Sequence, residues 1–201
     1  MEPLFEARNL VDLLNASVAL WHEKPISVDH GDPALARVLE LQAHNFRLWH
    51  EEDKARDPKA EDALIAKVKR TIDKLNQQRN DAMEKLDEYV LQTLHAQGVN
   101  PGGHAGLHSE SVGAMVDRLS ILALKVFHMR EQTQRSDADA AHIENCREKL
   151  AVLVSQQEDL TRCLAEFHDD LVGGRKRFKV YRQMKMYNDP ALNPVLYKDG
   201  A

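Results

Sequence analysis

Asn45-Phe46-Arg47-Leu48-Trp49-His50-Glu51-Glu52-Asp53-Lys54-Ala55-Arg56-Asp57, followed at once by Pro58, is the stretch that decides how this chain folds. Phe46 and Trp49 continue an apolar seam begun at Leu35, Val38 and Leu39, so the stretch reads as the last turns of a long helix. Asp57-Pro58 repeats the signal Asp32-Pro33 that opened this helix, an N-cap carboxylate followed by proline where no amide donor is needed. The helix must therefore stop near Arg56 and another start immediately, which makes an antiparallel hairpin. Eight ionisable side chains and a tryptophan crowd this helix end, more than packing alone requires.

The rest of the chain repeats the helical pattern. Upstream, Leu4, Ala7, Val11, Leu14, Val18 and Trp21 step by three and four and predict a helix from Pro3 to His22, ended by Pro25. Downstream, a third helix from about Lys59 to Gln97 buries Ile65, Val68, Ile72, Leu75, Ala82 and Leu86, with Arg79 where the seam asks for an apolar residue. The glycine-rich loop from Gly98 to Gly106 leads to a fourth helix on Val112, Met115, Val116, Leu119, Leu122, Val126 and Met129. A fifth starts after a Ser136-Asp137 cap and ends at Gly173-Gly174, its seam broken once, at Gln157. With no period-two runs of β-branched residues, the chain is expected to be all-α. The expected form is an antiparallel bundle of four to five long helices with a basic C-terminal arm. One domain accounts for all 201 residues: an N-terminal helix and linker (1–31), core helices (32–173) and the arm with its extended tail (174–201).

Charge is unevenly distributed. Arg175, Lys176, Arg177, Lys179, Arg182 and Lys185 give residues 173–185 a charge of +6, so the net −5 of the chain leaves −11 on the remainder. Such polarity favours self-association or docking of an anion. Phe178 and Tyr181 would share a face of a basic helix with Lys185 and so dock on the acidic bundle. Nucleic-acid binders also interleave cations with aromatics, but a pI of 6.1 argues against that use. Cys146 and Cys163 lie about 25 Å apart on one helix at ~1.5 Å rise per residue, too far to bridge, and read as free thiols of a reducing compartment. The acidic N-terminus lacks a signal-peptide n-region, and no apolar run reaches the ~20 residues of a membrane span. A cytoplasmic protein is expected.

Two polar zones stand out. At ~1.5 Å per residue, Glu52 lies about 7 Å from the Asp57 turn and Arg79 about 32 Å from it, so a straight hairpin keeps them apart. In the first zone Asn45, Trp49, Glu52 and Arg56 share one helix face, and register counting brings Arg70 and Asp73 near Asn45. Asp139 and His142 are expected at the same end. His50, Glu52, Asp53 and His142 are candidate metal ligands and Glu52 and Asp53 candidate catalytic carboxylates. A salt-bridged helix end built on Glu52–Arg56 accounts for the same residues. A di-iron bundle needs two Glu-x-x-His pairs, and only the single Asp139-x-x-His142 comes near.

In the second zone Arg79 interrupts the seam beside Asn76 and Asn80. Counting across antiparallel helices sets Arg79 opposite His128, Asp87 opposite Ser120 and Asp117 near Gln157. A buried arginine needs a partner, so Asp87, Asp117 or Glu84 should pair with it. The zone is either a register-fixing polar network or a pocket for a phosphate or carboxylate, with His128 as acid/base. Candidate ligand-binding residues are Asn76, Arg79, Asn80, Asp87, Asp117 and Arg118, with Arg177, Lys179 and Arg182 from the arm. Glu84-x-x-Asp87 invites comparison with all-helical nucleotide pyrophosphohydrolases. The first acidic pair of that pattern, a Glu-x-x-Glu, is absent from helix two, and magnesium needs several oxygen ligands around one ion.

Four ordered stretches resemble a bacterial family, domain-of-unknown-function family 4254. They are Leu48 to Asp57, Asp73-Lys74-Leu75-Asn76-Gln77-Gln78-Arg79-Asn80-Asp81, Asp117-Arg118-Leu119-Ser120-Ile121-Leu122, and Arg177-Phe178-Lys179-Val180-Tyr181-Arg182-Gln183 continuing to Met186-Tyr187-Asn188-Asp189-Pro190. The resemblance runs from about residue 40 to 197. It departs where Ser111-Val112-Gly113 replaces a Thr-Pro-Gly-like helix start, which leaves that start less sharply fixed. It implies a helical protein and brings no reaction, cofactor or site residue with it. The expected function is a small-anion-binding or protein-assembly module, with homo-oligomers or a protein partner. The alternative is an enzyme for a phosphorylated or nucleotide-like substrate, metal-assisted or not.

Overall fold

The computed structural model describes residues 5–184, 186 and 189–197. Five long helices carry the architecture: α1 (Ala7–Glu23), α2 (Pro33–Ala55), α3 (Asp62–Ala96), α4 (Val112–Thr133) and α5 (Ala140–Val172). A two-residue parallel pairing joins β1 (Gly106–Leu107) to β2 (Lys176–Arg177), and a short α6 (Pro194–Tyr197) follows. No described helix is long and apolar enough to cross a membrane. The expected all-α bundle is the fold observed.

The predicted seams supply most of the buried faces, and the structure adds Leu10 and Leu41 to them while Ile65, Ile143, Leu150 and Leu153 are only partly buried. Leu10, Leu14 and Val18 of α1, Val38 and Leu41 of α2, Leu86 and Val90 of α3, Val116 and Leu119 of α4 and Leu164 of α5 are at or within 1% of full burial in one continuous core. Each such side chain contributes about 1.5–3 kcal/mol relative to exposure. α1 packs chiefly on α4, between α2 and α5, so the N-terminal helix is an integral part of the core. A smaller apolar cluster of Leu48, Val68, Ile72 and Leu75, with Ala55 against it, closes the tip of the α2–α3 hairpin. The predicted start of α1 at Pro3 and its seam residue Leu4 lie outside the described residues, and the described part of that helix begins at Ala7.

Side-chain caps fix three of the five long-helix starts, those of α2, α4 and α5. The Asp32 carboxylate accepts from the amides of Ala34 and Leu35 at 2.7 and 3.4 Å, with Pro33 in the first turn as expected. α3 starts three residues later than expected, because the Asp57 carboxylate accepts from the Lys59 amide and holds a turn instead of capping a helix. α5 is capped by Asp139, which accepts from the His142 amide at 2.7 Å, and not by Ser136-Asp137. Arg135 takes Asp137 away, and their two hydrogen bonds hold that carboxyl at about 2. At Gln157 the seam break is resolved by a reciprocal amide pair with Asn15 of α1, at 3.1 and 3.2 Å. That pairing replaces the expected neighbourhood of Gln157 and Asp117.

Register departs from simple counting. Glu40 faces Lys85 at 3.5 Å, and the Arg37 guanidinium lies 4.3 Å from the centre of the Tyr89 ring. This register sets Asn45 level with residue 80 rather than 70–73, so the start of α3 projects about two turns beyond the end of α2. Across α3 and α4 the offset is larger. The long connection 97–111 runs back along α3 until α4 begins level with Asp87.

The arm is extended and not the expected helix. β2 is caught by β1 through the amides of Gly106 and His108, which donate to the carbonyls of Arg175 and Arg177. Phe178 is buried, 6.1 Å edge-on from Phe167, whereas Tyr181 is exposed. Arg182 bridges Glu84 and Glu88 of α3, and the Gln183 amide donates to Glu84 at 2.9 Å. The basic arm thus docks on the acidic bundle within its own chain. Lys185, the third residue of the predicted basic face, and Tyr187 and Asn188 lie outside the described residues.

Candidate functional site

The two polar zones are one cleft. Asn45, Leu48, Trp49, Glu52 and Asp53 of α2, with Arg56 at its C-cap, face Asn76 and Arg79 of α3 and Ile121 and Leu124 of α4 around a cavity of about 430 Å³. The expectation that a straight hairpin separates Glu52 from Arg79 fails because of the register offset. α3 overshoots α2, and the long arginine reaches back along the groove.

The floor of the cleft is a polar network among three helices. Asp117 of α4 accepts from Arg79 through Nε at 2.7 Å and through Nη2, a bidentate pair, and from the Asn45 amide at 2.9 Å. The second Asn45 amide hydrogen goes to the Ser120 hydroxyl at 2.8 Å. Asp117 and Asn45 are 5% and 4% exposed, so these bonds form out of water. The Asp117 hydrogen bonds, first, raise the Arg79 pKa above its ordinary value, outweighing burial. Of the five N–H donors of a guanidinium, Arg79 commits Nε and Nη2 to Asp117, while Nη1 engages no protein group among the described residues. At the open end Arg56 pairs with Glu52 at 2.9 Å, the i,i+4 bridge expected there. The result is a groove with a fixed, partly open guanidinium at one end, carboxylates at the other and the Trp49 ring as a wall.

The remaining site candidates lie elsewhere. Asn80 sits half-buried on α3 but does not line the cleft. Asp87 does not meet Arg79 or Ser120. Its carboxylate accepts from the Gly113 amide at 2.6 Å and so caps α4 from a neighbouring helix. Burial pushes the Asp87 carboxyl up to about 6, against the pull of Ser111 and the Gly113 amide. This cap, with the Ser111 hydroxyl accepting from the Ala114 amide, fixes the helix start that had looked loosely defined. Gly113 is required there because a Cβ would meet the Met83 carbonyl at 2.5 Å. Arg118 pairs with Glu110 at 3.0 Å. On the arm, Arg177 donates to the Ala105 carbonyl and Arg182 is held by two glutamates. Lys179, Arg177 and Arg182 do not line the cleft. His142 contacts Cys146 at 3.4 Å and the carboxylate of Asp139 caps α5, and among the described residues neither falls in a group of ligating atoms with His50, Glu52 or Asp53.

His128 and His50 fall together on the far side of Trp49, where Trp49 stacks on His128 at 4.8 Å and an interplanar angle of 8°. His128 is therefore not opposite Arg79. The three-turn offset between α3 and α4 gives that place to Asp117. Both histidines meet His22 of α1, which sequence reasoning missed. Burial, first, lowers the His50 pKa below its ordinary value, with the adjoining His22 and His128 acting in the same direction. His22 adjoins the seam residue Trp21 at the end of α1, and only the assembled bundle brings it to residues 28 and 106 positions away.

A larger depression, about 830 Å³, runs between the α1–α2 connection and α3. Its walls carry the Arg37–Tyr89 and Glu40–Lys85 contacts, and the stretches that drew attention in the sequence do not converge there.

Residues 35–180 match the family described as Protein of unknown function (DUF4254). No curated protein and no solved structure matches the chain significantly. The matched region contains the whole cleft, three of the four resembling stretches and only the start of the fourth, Arg177 to Val180. It ends before Tyr181–Pro190 and leaves out α1 with His22. Matched over well more than half its length, the chain belongs to the DUF4254 family.

Proposed function

We propose that the protein binds a small anionic ligand in the α2–α3–α4 cleft, in a cytoplasmic setting. One observation carries the reading: stretches around residues 45–56, 76–79 and 117–124 converge on a single groove whose arginine is oriented but not used up. Nη1 of Arg79 and the Asn76 side chain supply donors for a carboxylate or phosphate. Glu52 and Asp53 accept from hydroxyl or amino groups at the other end, and Trp49 covers an apolar or ring portion. With Asp117 on the floor, Arg56 and Arg79 stand against three carboxylates, Glu52, Asp53 and Asp117, which favours a ligand that carries hydrogen-bond donors or a cationic group beside its acid group. The free cysteines, one buried and one exposed, agree with a reducing compartment. Protein assembly is a weaker reading, because Arg175, Lys176 and Arg182 are all paired within the chain. An enzyme of phosphorylated or nucleotide-like substrates would draw on Glu52 and Asp53 in the same groove.

The test is calorimetric titration with a panel of small phosphate monoesters, hydroxycarboxylates and amino acids against the native protein, Asn76→Ala and Arg79→Lys. A charged hydrogen bond contributes about 1.5–3 kcal/mol, so each substitution should weaken a true ligand about tenfold or more. Failure of the whole panel to bind, or equal binding by all three proteins, overturns the reading.

A further inference from the structure

Three histidines from three helices meet beside the cleft. His22 ends α1, His50 lies in α2 and His128 in α4, and one ring nitrogen from each lies within 4.8 Å of the others. Their ring centroids are 5.1, 5.2 and 5.9 Å apart at interplanar angles of 72–82°. Stacking therefore does not explain the grouping. The planes stand nearly perpendicular to one another, and one nitrogen of each ring is turned toward the other two.

The outer nitrogens are already engaged. Nδ1 of His22 lies 2.7 Å from the Val18 carbonyl, and Nδ1 of His128 lies 2.7 Å from the Glu131 carboxylate. Each acceptor draws the ring proton to Nδ1, so Nε2 is left with its lone pair. A backbone carbonyl or carboxylate behind the imidazole is the arrangement that orients histidine for a metal and raises its basicity. His128 Nε2 is also buried and has no hydrogen-bond partner among the described residues. A buried polar nitrogen without a partner costs about 1–3 kcal/mol, and a bound cation would remove that cost. Phe46 and Phe127 wall the cluster, with ring centroids 4.9 and 4.3 Å from His22, while Trp49 covers His128.

We propose that His22, His50 and His128 form a binding site for a divalent first-row transition ion of the zinc class. Three neutral imidazoles are the protein ligand set of an open tetrahedral zinc site, and all-nitrogen donors exclude a preference for calcium or magnesium. At metal–nitrogen distances of about 2.0–2.1 Å, tetrahedral ligands stand roughly 3.4 Å apart. The separations in the cluster close to that value by small ring rotations. His22 is exposed, so the fourth position opens to solvent on its side. The site is separate from the anion cleft and does not depend on it. The two share only Trp49.

The test uses the metal-free full chain titrated with zinc alone and with cobalt alone. Expected are one ion per chain, a Kd in the micromolar range or below, and the intense visible absorption of tetrahedral cobalt. His22→Gln, which changes an exposed residue, and His128→Gln should each weaken zinc binding at least about 100-fold. Glu131→Gln, which only positions His128, should cost about tenfold. His142→Gln with Cys163→Ser is the control and should change nothing. Copper-loaded protein examined by pulsed electron paramagnetic resonance should report three imidazoles, a readout that needs no variant. Zinc that binds equally to the His22→Gln and His128→Gln proteins, or that is lost with the control pair, overturns the proposal. So does cobalt without the tetrahedral spectrum, or a count below three imidazoles.

Discussion

Asp87→Asn should stabilise the protein at neutral pH and do nothing useful at pH 4. The Asp87 carboxyl is buried between α3 and the start of α4, where burial raises it from 3.8 to about 6. At 1.36 kcal/mol per pH unit, that displacement makes the ionised form about 3 kcal/mol less favourable in the folded protein than in the unfolded chain. The pull of Ser111 and of the Gly113 amide is already contained in that value, and because the unfolded carboxyl is partly ionised at pH 4, about 2 kcal/mol of the penalty falls between pH 4 and 7. The sign follows from proton binding. Between pH 4 and 6 the folded state holds this proton more tightly than the unfolded state, so the contribution is full below about pH 4 and lost as pH rises through 6. Asparagine keeps an oxygen for the Gly113 amide and removes the titration. Urea denaturation of both proteins at pH 4, 5.5 and 7 should show the difference in unfolding free energy growing by about 2 kcal/mol in favour of Asn. A difference that stays constant with pH would refute the reasoning, and so would an asparagine protein that is less stable at pH 7. Either result would mean that the helix terminus outweighs burial.

Three further outcomes follow from the same geometry. Asp117→Ala leaves Arg79 and Asn45 without their shared acceptor and should cost about 3–5 kcal/mol by chemical denaturation. Arg79→Met with Asp117→Leu should recover most of that loss. Gly113→Ala pushes a methyl into the Met83 carbonyl and should cost about 2 kcal/mol, seen as a fall of roughly 5 °C in the melting midpoint. Arg182→Ala frees the arm from Glu84 and Glu88. Hydrogen exchange at the Gln183 amide should then rise about tenfold or more while the melting midpoint stays put.

What the sequence made legible were the features that depend on a few neighbouring residues. The three-and-four spacing of Ala7, Val11, Leu14 and Val18 names the buried face of α1, and Asp32-Pro33 names the start of α2. Arg79 was recognisable as a seam break that needed an acid, and Asp117 stood among the three partners considered. Register was not legible, because it is set by how far loops 56–61 and 97–111 run back along α3. No local pattern encodes that distance. The same gap hid the merging of the two polar zones, the cap that Asp87 supplies to α4, and the meeting of His22 with His50 and His128. The arm misled for a related reason. Arg177 and Phe178 suit an amphipathic helix, but a backbone pairing with Gly106–Leu107, seventy residues earlier, holds them extended.

Native mass spectrometry of the protein purified gently from its own host, beside Asn76→Ala purified the same way, tests the cleft most directly. A ligand site predicts a retained small-molecule mass on the native chain that is absent from the variant, with an acidic group in its identified structure. A native chain that carries no small molecule, or the same one on both proteins, would contradict ligand binding in the cleft and reduce Arg79, Asp117 and Asn45 to a network that holds three helices in register.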